Sequence, residues 1–317
     1  MTDAKFDSLA RALCSLEGLS VGDAFGEQFF GFPFGSKDLI KEGDILDAIE
    51  ARILPPSPWH YTDDTNMALS VVSILRQYQR INQDILAFSF AARYESARGY
   101  GPAMHWLMRA FNADSQNWAA LAGSLFDGQG SFGNGAAMRV APLGAYFADD
   151  MDAVVQNAAL SAEVTHAHKE AVAGAIATAV AAAYATRLRG QTPPGPREFI
   201  ELVLPHIPDS IVREKVRHAR DMSPGGSVLL AMSRLGNGSE ISAQDTVPFV
   251  LWCAARSLSN YEEALWLTVS GLGDRDTTCA MVGGIVACYT GVEAIPEVWR
   301  QAREPLPTWI LREQSEI

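Results

Sequence analysis

The sequence is poor in several things that would each have set its class. Cysteine is scarce: Cys14, Cys253, Cys279 and Cys288 are the 4 in 317 residues, and no two have CxxC spacing. That excludes a disulfide framework and a cysteine zinc site, and points to reduced thiols in a cytoplasmic protein. Positive charge is short too, with 25 Lys and Arg against 37 Asp and Glu, a formal net charge of −12. Phosphate backbones need a basic footprint, so a long nucleic-acid partner is not expected. Alternating apolar–polar runs of strand length are almost absent, which removes the sheet-based classes. The longest apolar-looking run, Ala171 to Ala185, is alanine-dominated and short of a membrane span, with Arg187 and Arg189 close behind. The opening stretch MTDAKFDSLARALCSLEG interleaves charge with apolar positions and lacks the apolar core of a signal peptide. The expectation is a chain with no membrane segment.

Helical periodicity remains. Phe6, Leu9, Leu13, Leu16 and Leu19 follow i, i+3, i+4 spacing, and so do Met67, Val71, Ile74, Leu75 and Tyr78. Further helices are predicted over 83–95, 102–111, 116–126, 150–162, 167–189, 197–207, 210–221, 242–258, 261–271 and 277–290. Pro55-Pro56-Ser57-Pro58, Gln191 to Pro196, Ser223 to Gly226 and Gly236 to Ser239 read as loops between them, and none reads as an interdomain linker. The predicted class is all-α, a single compact multi-helix domain over 1–317, with a monomer favoured. The stretch from Ala171 to Tyr184 is small or apolar all round, which suits a central buried helix.

Two acidic clusters, far apart in the chain, each open an apolar helical stretch. They are Thr62-Asp63-Asp64-Thr65 and Asp274-Arg275-Asp276-Thr277-Thr278. Either one alone is explained as a helix cap, with Thr62 capping one helix and Asp276 or Thr277 the other. Carboxylates in the first turn then gain from the helix dipole, worth roughly 0.3–1 kcal/mol each. Together they say more, because a cap needs one such residue and each cluster offers two carboxylates and a hydroxyl. Those are the hard oxygen donors that Mg²⁺ and Mn²⁺ prefer. Four carboxylates brought together without a cation would repel one another, and a pair of divalent ions would neutralise them.

Between the clusters, Gly128, Gly130, Gly133 and Gly135 punctuate a loop that runs on into Ala136-Ala137-Met138-Arg139. Such a loop can bring backbone N–H groups close to an anion, although it has neither P-loop nor dinucleotide-fold spacing. Phe132 within it can stack on a base or ribose. His166 and His168 have poor spacing for a shared metal, and no Ser-His-Asp or Cys-His arrangement can be argued.

Taken in order, these segments resemble the ADP-ribosylglycohydrolases over nearly the whole chain. Gly18-Leu19-Ser20-Val21-Gly22-Asp23-Ala24-Phe25-Gly26 resembles the family's G-x-x-x-G-D-A-x-G helix, and Tyr61-Thr62-Asp63-Asp64-Thr65 its first metal motif. Gly130 to Arg139 is similar to its ADP-ribose loop, Thr165-His166 to its T-H signature, and Gly273 to Thr277 to its second metal motif. The resemblance implies an all-α fold with two Mg²⁺ or Mn²⁺ ions at helix N-termini, held by Thr62, Asp63, Asp64, Asp274, Asp276 and Thr277. It implies ADP-ribose contacts from Gly130, Ser131, Phe132, Gly133, Asn134 and His166. Asp63, Asp64, Asp276 and Glu27 are the implied catalytic carboxylates, with Asp127 a further candidate to protonate the leaving group.

Two positions depart from the family pattern. Phe30 stands where serine-directed members carry a glutamate, with Glu27 the nearest acid, and Arg275 replaces the middle threonine of the second metal motif. The first departure makes the N-glycosidic bond of ADP-ribosyl-arginine on protein the expected target. Alternatives are an O-linked conjugate, ADP-ribosyl-serine or O-acetyl-ADP-ribose, and a catalytically silent ADP-ribose binder on the same scaffold. The expected partner is thus an ADP-ribosylated protein or a small ADP-ribose conjugate.

Overall fold

The computed structural model describes residues 2–31 and 42–310, with side chains from 7 and from 43 onward in the two spans. Sixteen α-helices follow one another in these residues. The first half holds α1 (Thr2–Glu27), α2 (Glu42–Glu50), α3 (Asp63–Tyr78), α4 (Gln83–Ala92), α5 (Pro102–Ala113), α6 (Trp118–Gly128), α7 (Ala141–Tyr146) and α8 (Met151–Glu163). The second half holds α9 (Lys169–Leu188), α10 (Pro196–Val203), α11 (Ile211–Asp221), α12 (Val228–Leu235), α13 (Ala243–Arg256), α14 (Tyr261–Val269), α15 (Arg275–Thr290) and α16 (Glu297–Ala302). Among the described residues β-type pairing is limited to two isolated bridges, Trp59 with Arg303 and Gly133 with Ser242. The all-α reading holds.

Three glycines in α1 would weaken an isolated helix by roughly 1 kcal/mol each. Their spacing explains why they are there. Gly18, Gly22 and Gly26 lie on one face, and α15 runs antiparallel along it at backbone contact. A Cβ on Gly22 would sit 2.2 Å from the Cys279 carbonyl oxygen, and one on Gly26 2.2 Å from that of Arg275. One on Gly18 would sit 2.4 Å from the Gly283 oxygen. This pairing sets the C-terminal turn of α1, with Asp23 and Glu27, beside the N-terminus of α15, with Asp274 and Asp276. Beneath them Phe25 stacks on Trp299 at 4.5 Å and meets Trp266 edge-on at 5.0 Å, an apolar base for the acidic end.

The alanine-rich helix α9 is central, as its composition predicts: Ala173, Gly174, Ala177, Val180 and Ala181 are buried. Small residues again set the spacing, since a Cβ on Gly144 of α7 would lie 1.9 Å from the Ala179 oxygen. At 20 residues α9 exceeds the apolar run read from the sequence and is long and apolar enough to cross a membrane, yet 72% of its apolar window is buried inside the fold. Its polar ends continue the backbone beyond the alanines. One of them, the buried Glu170 carboxylate, accepts the Ile211 and Val212 N–H groups at 3.0 Å each and so caps α11.

Sequence and structure differ at breaks and short elements. Segment 197–207 divides into α10 and a 3₁₀ turn, Leu204–His206, because Pro205 has no N–H to donate. The stretch after the glycine loop is a 3₁₀ turn, Asn134–Ala136, with α7 starting only at Ala141. Helices α2, α7, α12 and α16 lie outside the predicted helical segments. The Phe6 side chain lies outside the described residues.

Gly22→Val should force α1 and α15 apart, because the obstructing atoms are backbone. A loss of at least about 1–3 kcal/mol is expected by denaturant unfolding, together with weakened binding of Mn²⁺. Unchanged stability would show that the helices are not in backbone contact there.

Candidate active site

The acidic clusters meet. Their hub is a residue outside the expected ligand set: Asp23, fully buried in α1. Its carboxylate accepts the Thr62 N–H at 3.0 Å, the Thr62 hydroxyl at 2.8 Å, the Thr65 N–H at 3.0 Å and the Thr65 hydroxyl at 2.5 Å. It thus satisfies first-turn donors of α3 that a helix cannot bond internally. Only its place beside Gly22 in the α1 motif marks it in the sequence. Thr62 is the N-cap of α3, as expected, with Asp63 and Asp64 in the first turn. The second cluster differs from the cap reading. Asp274, not Asp276 or Thr277, occupies the N-cap of α15, and its side chain makes no capping bond. That carboxylate instead accepts the Asn134 amide at 2.7 Å. Across the gap, the Thr277 hydroxyl donates to Asp64 Oδ2 at 3.3 Å, and the Thr62 hydroxyl, its proton shared with Asp23, lies 3.0 Å from the same oxygen.

Charges of one sign are therefore packed together. Burial first, then the carboxylates of Asp23, Asp276, Asp63 and Asp274, hold Asp64 well above the usual range. Burial and Asp274 do the same to Asp276. Asp63 is pushed up to about 8 by burial and Asp23, and Asp23 itself to about 6 by burial, with its threonine bonds opposing. The donor set fits divalent cations: Oδ1 of Asp64 and Oδ1 of Asp276 are buried with no hydrogen-bond partner, and hard oxygens surround them. Among the described residues, however, no three His, Cys, Asp or Glu side chains are arranged to hold a metal ion. The expected ready-made dinuclear centre is not shown. The physical reason is visible in the bonds just described, which turn donor oxygens toward Thr62, Thr277 and Asn134.

Over the cluster lies a cavity of about 580 Å³. Of the expected site residues, Asp63, Asp274, Asp276, Thr277, Ser131, Phe132, Gly133, Asn134 and His166 line it. Thr62 and Asp64 sit behind them, and Gly130 is a buried hinge at φ 75° rather than a wall. The glycine loop is fixed by three backbone bonds to other segments, Ala243 N–H to Phe132 O at 3.0 Å, His168 N–H to Ser131 O at 3.3 Å and Asn134 N–H to Ile241 O at 3.4 Å. The His166 ring fills the space a side chain would need at Gly135, where a Cβ would lie 2.8 Å from Cε1. Burial and the nearby Arg139 push His166 down to about 3, so it is neutral, with Nδ1 bonded to the Thr165 hydroxyl at 2.7 Å. Arg139 is itself fully buried, donating to Ser161 O at 2.6 Å and Gly135 O at 3.3 Å, and it braces the loop from below.

Phe126 is a lining residue that sequence reasoning missed. Its ring centroid is 5.4 Å from that of Phe132, and both are substantially exposed at the cavity mouth. It and Asp127 take left-handed backbone (φ 52° and 56°), a conformation seldom kept without a reason at non-glycine residues. Asp127 is exposed and lines neither this cavity nor its neighbour. Glu27 lines the neighbouring cavity, its carboxyl raised to about 7 by burial, Asp23 and Asp274. The departures at Phe30 and Arg275 turn out to be partners. Arg275 donates to Phe29 O at 2.5 Å and lies over the Phe30 ring at 4.5 Å, in the 3₁₀ turn that follows α1, and its charge partly offsets the upward shift of Glu27.

The family profile described as ADP-ribosylglycohydrolase matches residues 4–316. The chain belongs to the ADP-ribosylglycohydrolase family. It is 28% identical to the mouse ADP-ribosylhydrolase ARH3, over 94% of this chain and 89% of that protein. Against the human ADP-ribosylhydrolase ARH3 the figures are 29%, 93% and 90%. An uncharacterized protein of Archaeoglobus fulgidus is 30% identical over 89% of this chain and 88% of its own length. Among solved structures, an ADP-ribosylglycohydrolase-related protein complex superposes with a TM-score of 0.61 at 26% identity, covering 94% of this chain and 93% of that one. The ADP-ribosylglycohydrolase fold thus accounts for the whole described chain.

Two measurements check the cluster. Raised carboxyl pKa values mean that the folded chain holds protons the unfolded chain has lost. The associated stability is complete below about pH 4 and is lost as pH rises through the folded values of about 6, 7 and 8 for Asp23, Glu27 and Asp63. Melting in chelator should therefore drop between pH 5 and 8, and added Mg²⁺ or Mn²⁺ should flatten the drop; a flat profile in chelator would contradict the arrangement. Asp23→Asn presents an amide to N–H donors and should cost about 1–3 kcal/mol even without metal.

Proposed function

We propose that the chain is a metal-dependent hydrolase of O-linked ADP-ribose conjugates, ADP-ribosyl-serine on protein or O-acetyl-ADP-ribose. The observation that carries the hydrolase reading is the convergence of α3 and α15 N-termini on one set of buried carboxylates, two of them with an unpartnered oxygen, beneath a nucleotide-sized cavity. The preference for an oxygen linkage over the arginine linkage expected from the sequence comes from kinship with the ADP-ribosylhydrolase ARH3 proteins.

Thr62, Asp63, Asp64, Asp274, Asp276 and Thr277 would hold two Mg²⁺ or Mn²⁺ ions, which supply positive charge to offset the carboxylates and polarise oxygens at the anomeric carbon. The chain's own residues do the rest. Phe126 and Phe132 offer an aromatic face for the adenine, and the Ser131–Gly135 backbone approaches the pyrophosphate without side-chain obstruction. Neutral His166 fixes that backbone and adds no charge to it. Asn134 couples the loop to Asp274, so nucleotide binding and ligand orientation are mechanically linked. Glu27, which lines the neighbouring cavity with Thr62 and is raised to about 7, would give a proton to the leaving oxygen.

Asp276→Ala should lower kcat/KM by more than about 100-fold, since even outer-shell partners of metal ligands cost 10–100-fold. A panel of ADP-ribosyl-serine peptide, ADP-ribosyl-arginine and O-acetyl-ADP-ribose, each with Mg²⁺ and with Mn²⁺, tests the linkage. Release from the arginine conjugate alone would overturn the oxygen-linked reading. Tight ADP-ribose binding with no release from any conjugate would favour the silent binder.

A further inference from the structure

Beside the nucleotide cavity lies a second, of about 470 Å³, that the nucleotide does not need. Its walls include Glu27, Tyr61, Glu95, Arg98 and Glu304. The two share Gly99, and the second reaches Thr62 while the first has Asp63 on its floor. Gly99 sits at the junction: a Cβ there would lie 3.9 Å from both Asp63 Oδ1 and the Thr62 Cβ, and its φ of 82° is open to glycine. A conjugate with its nucleotide in the first cavity and its anomeric carbon at the acid cluster has its acceptor emerging across Gly99.

The second cavity is built, not incidental. The Asp63 N–H donates to Arg98 O at 2.7 Å, which ties the wall directly to the acid cluster. The Arg98 guanidinium lies 3.9 Å over the Tyr61 ring and donates to Tyr61 O at 2.9 Å and Glu95 Oε2 at 3.0 Å. It also pairs with Glu304, whose carboxylate accepts the Tyr61 N–H at 3.0 Å and meets His60 Nδ1 at 3.1 Å. The Nε and Nη1 donors of Arg98 are thereby committed to acceptors within the wall, and two carboxylates already meet its charge. Two carboxylates, Glu95 and Glu304, pair with this one guanidinium, and that of Glu95 is 56% exposed at the rim.

Resting on the hydrolase reading above, we propose that this cavity is the acceptor groove and that it selects peptide segments carrying a lysine or arginine next to the modified residue. The surplus of carboxylate attracts a cation and repels acidic or polyanionic acceptors. Because the surplus lies at a solvent-exposed rim, it acts on encounter and register more than on the chemical step.

The test uses the full chain with Mg²⁺ or Mn²⁺ and three serine-ADP-ribosylated peptides of equal length, with lysine, alanine or glutamate on both sides of the serine. O-acetyl-ADP-ribose, which has no peptide, serves as the reference. At low salt the lysine-flanked peptide should exceed the glutamate-flanked one in kcat/KM by roughly fivefold, the upper end for an exposed ion pair. The ratio should shrink at 300 mM salt, as rim charges are screened. Glu95→Gln should reduce the ratio and Glu95→Lys should abolish or invert it, each normalised to the same variant's rate on O-acetyl-ADP-ribose. Equal kcat/KM on the three peptides, with O-acetyl-ADP-ribose still turned over, would overturn the groove assignment and leave the hydrolase reading standing. No release from any of the four would overturn the hydrolase reading, and the groove with it.

Discussion

The structure depends on two helices touching through their backbones. Gly18, Gly22 and Gly26 remove the side chain at three successive turns of the face of α1 that meets α15, so the main chains come into direct contact there. The helices run antiparallel, which sets the end of one against the start of the other. Asp23 and Glu27 come from a helix C-terminus, where a carboxylate is disfavoured by the dipole; Asp274 and Asp276 come from an N-terminus, where it is favoured. Close packing rather than attraction between these groups brings them together. The free energy for it comes from the large apolar contact below, including Phe25, Trp266 and Trp299.

The same constraint explains the electrostatics. A carboxylate cluster forced together by packing is left with raised pKa values and with oxygens that lack partners, the condition in which divalent cations bind strongly. Asp23 shows how the protein limits the strain: it is the most enclosed of the group, yet its bonds to Thr62 and Thr65 make it a structural post for α3. Asn134 does something similar for Asp274 from the glycine loop. The cavity lined by the glycine loop and the acid cluster are therefore joined through one side chain, Asn134.

Arg275 shows how a chain absorbs a departure from its family's pattern. An arginine between the two aspartates of the second cluster puts a positive charge beside the carboxylates. Here it turns away, donating to the Phe29 carbonyl and lying on the Phe30 ring. The two unusual residues thus compensate each other.

What the sequence by itself determined was the class and the chemistry. Helical period and the near absence of strand-like alternation define an all-α protein, and two acid-hydroxyl clusters with a glycine loop name the hard oxygen donors and open backbone from which a site could be built, because residue type fixes what an atom can offer. Local signals also located Thr62 as a cap and the buried alanine helix. What only the tertiary structure decided was proximity and direction: that Asp23 is the hub, that Phe126 pairs with Phe132, that Asp274 faces Asn134, and that Arg275 faces Phe30. Each rests on contacts between residues distant along the chain or on a backbone turn such as left-handed Phe126. No local pattern encodes those, since they arise from how closely helices can pack once their glycines are aligned.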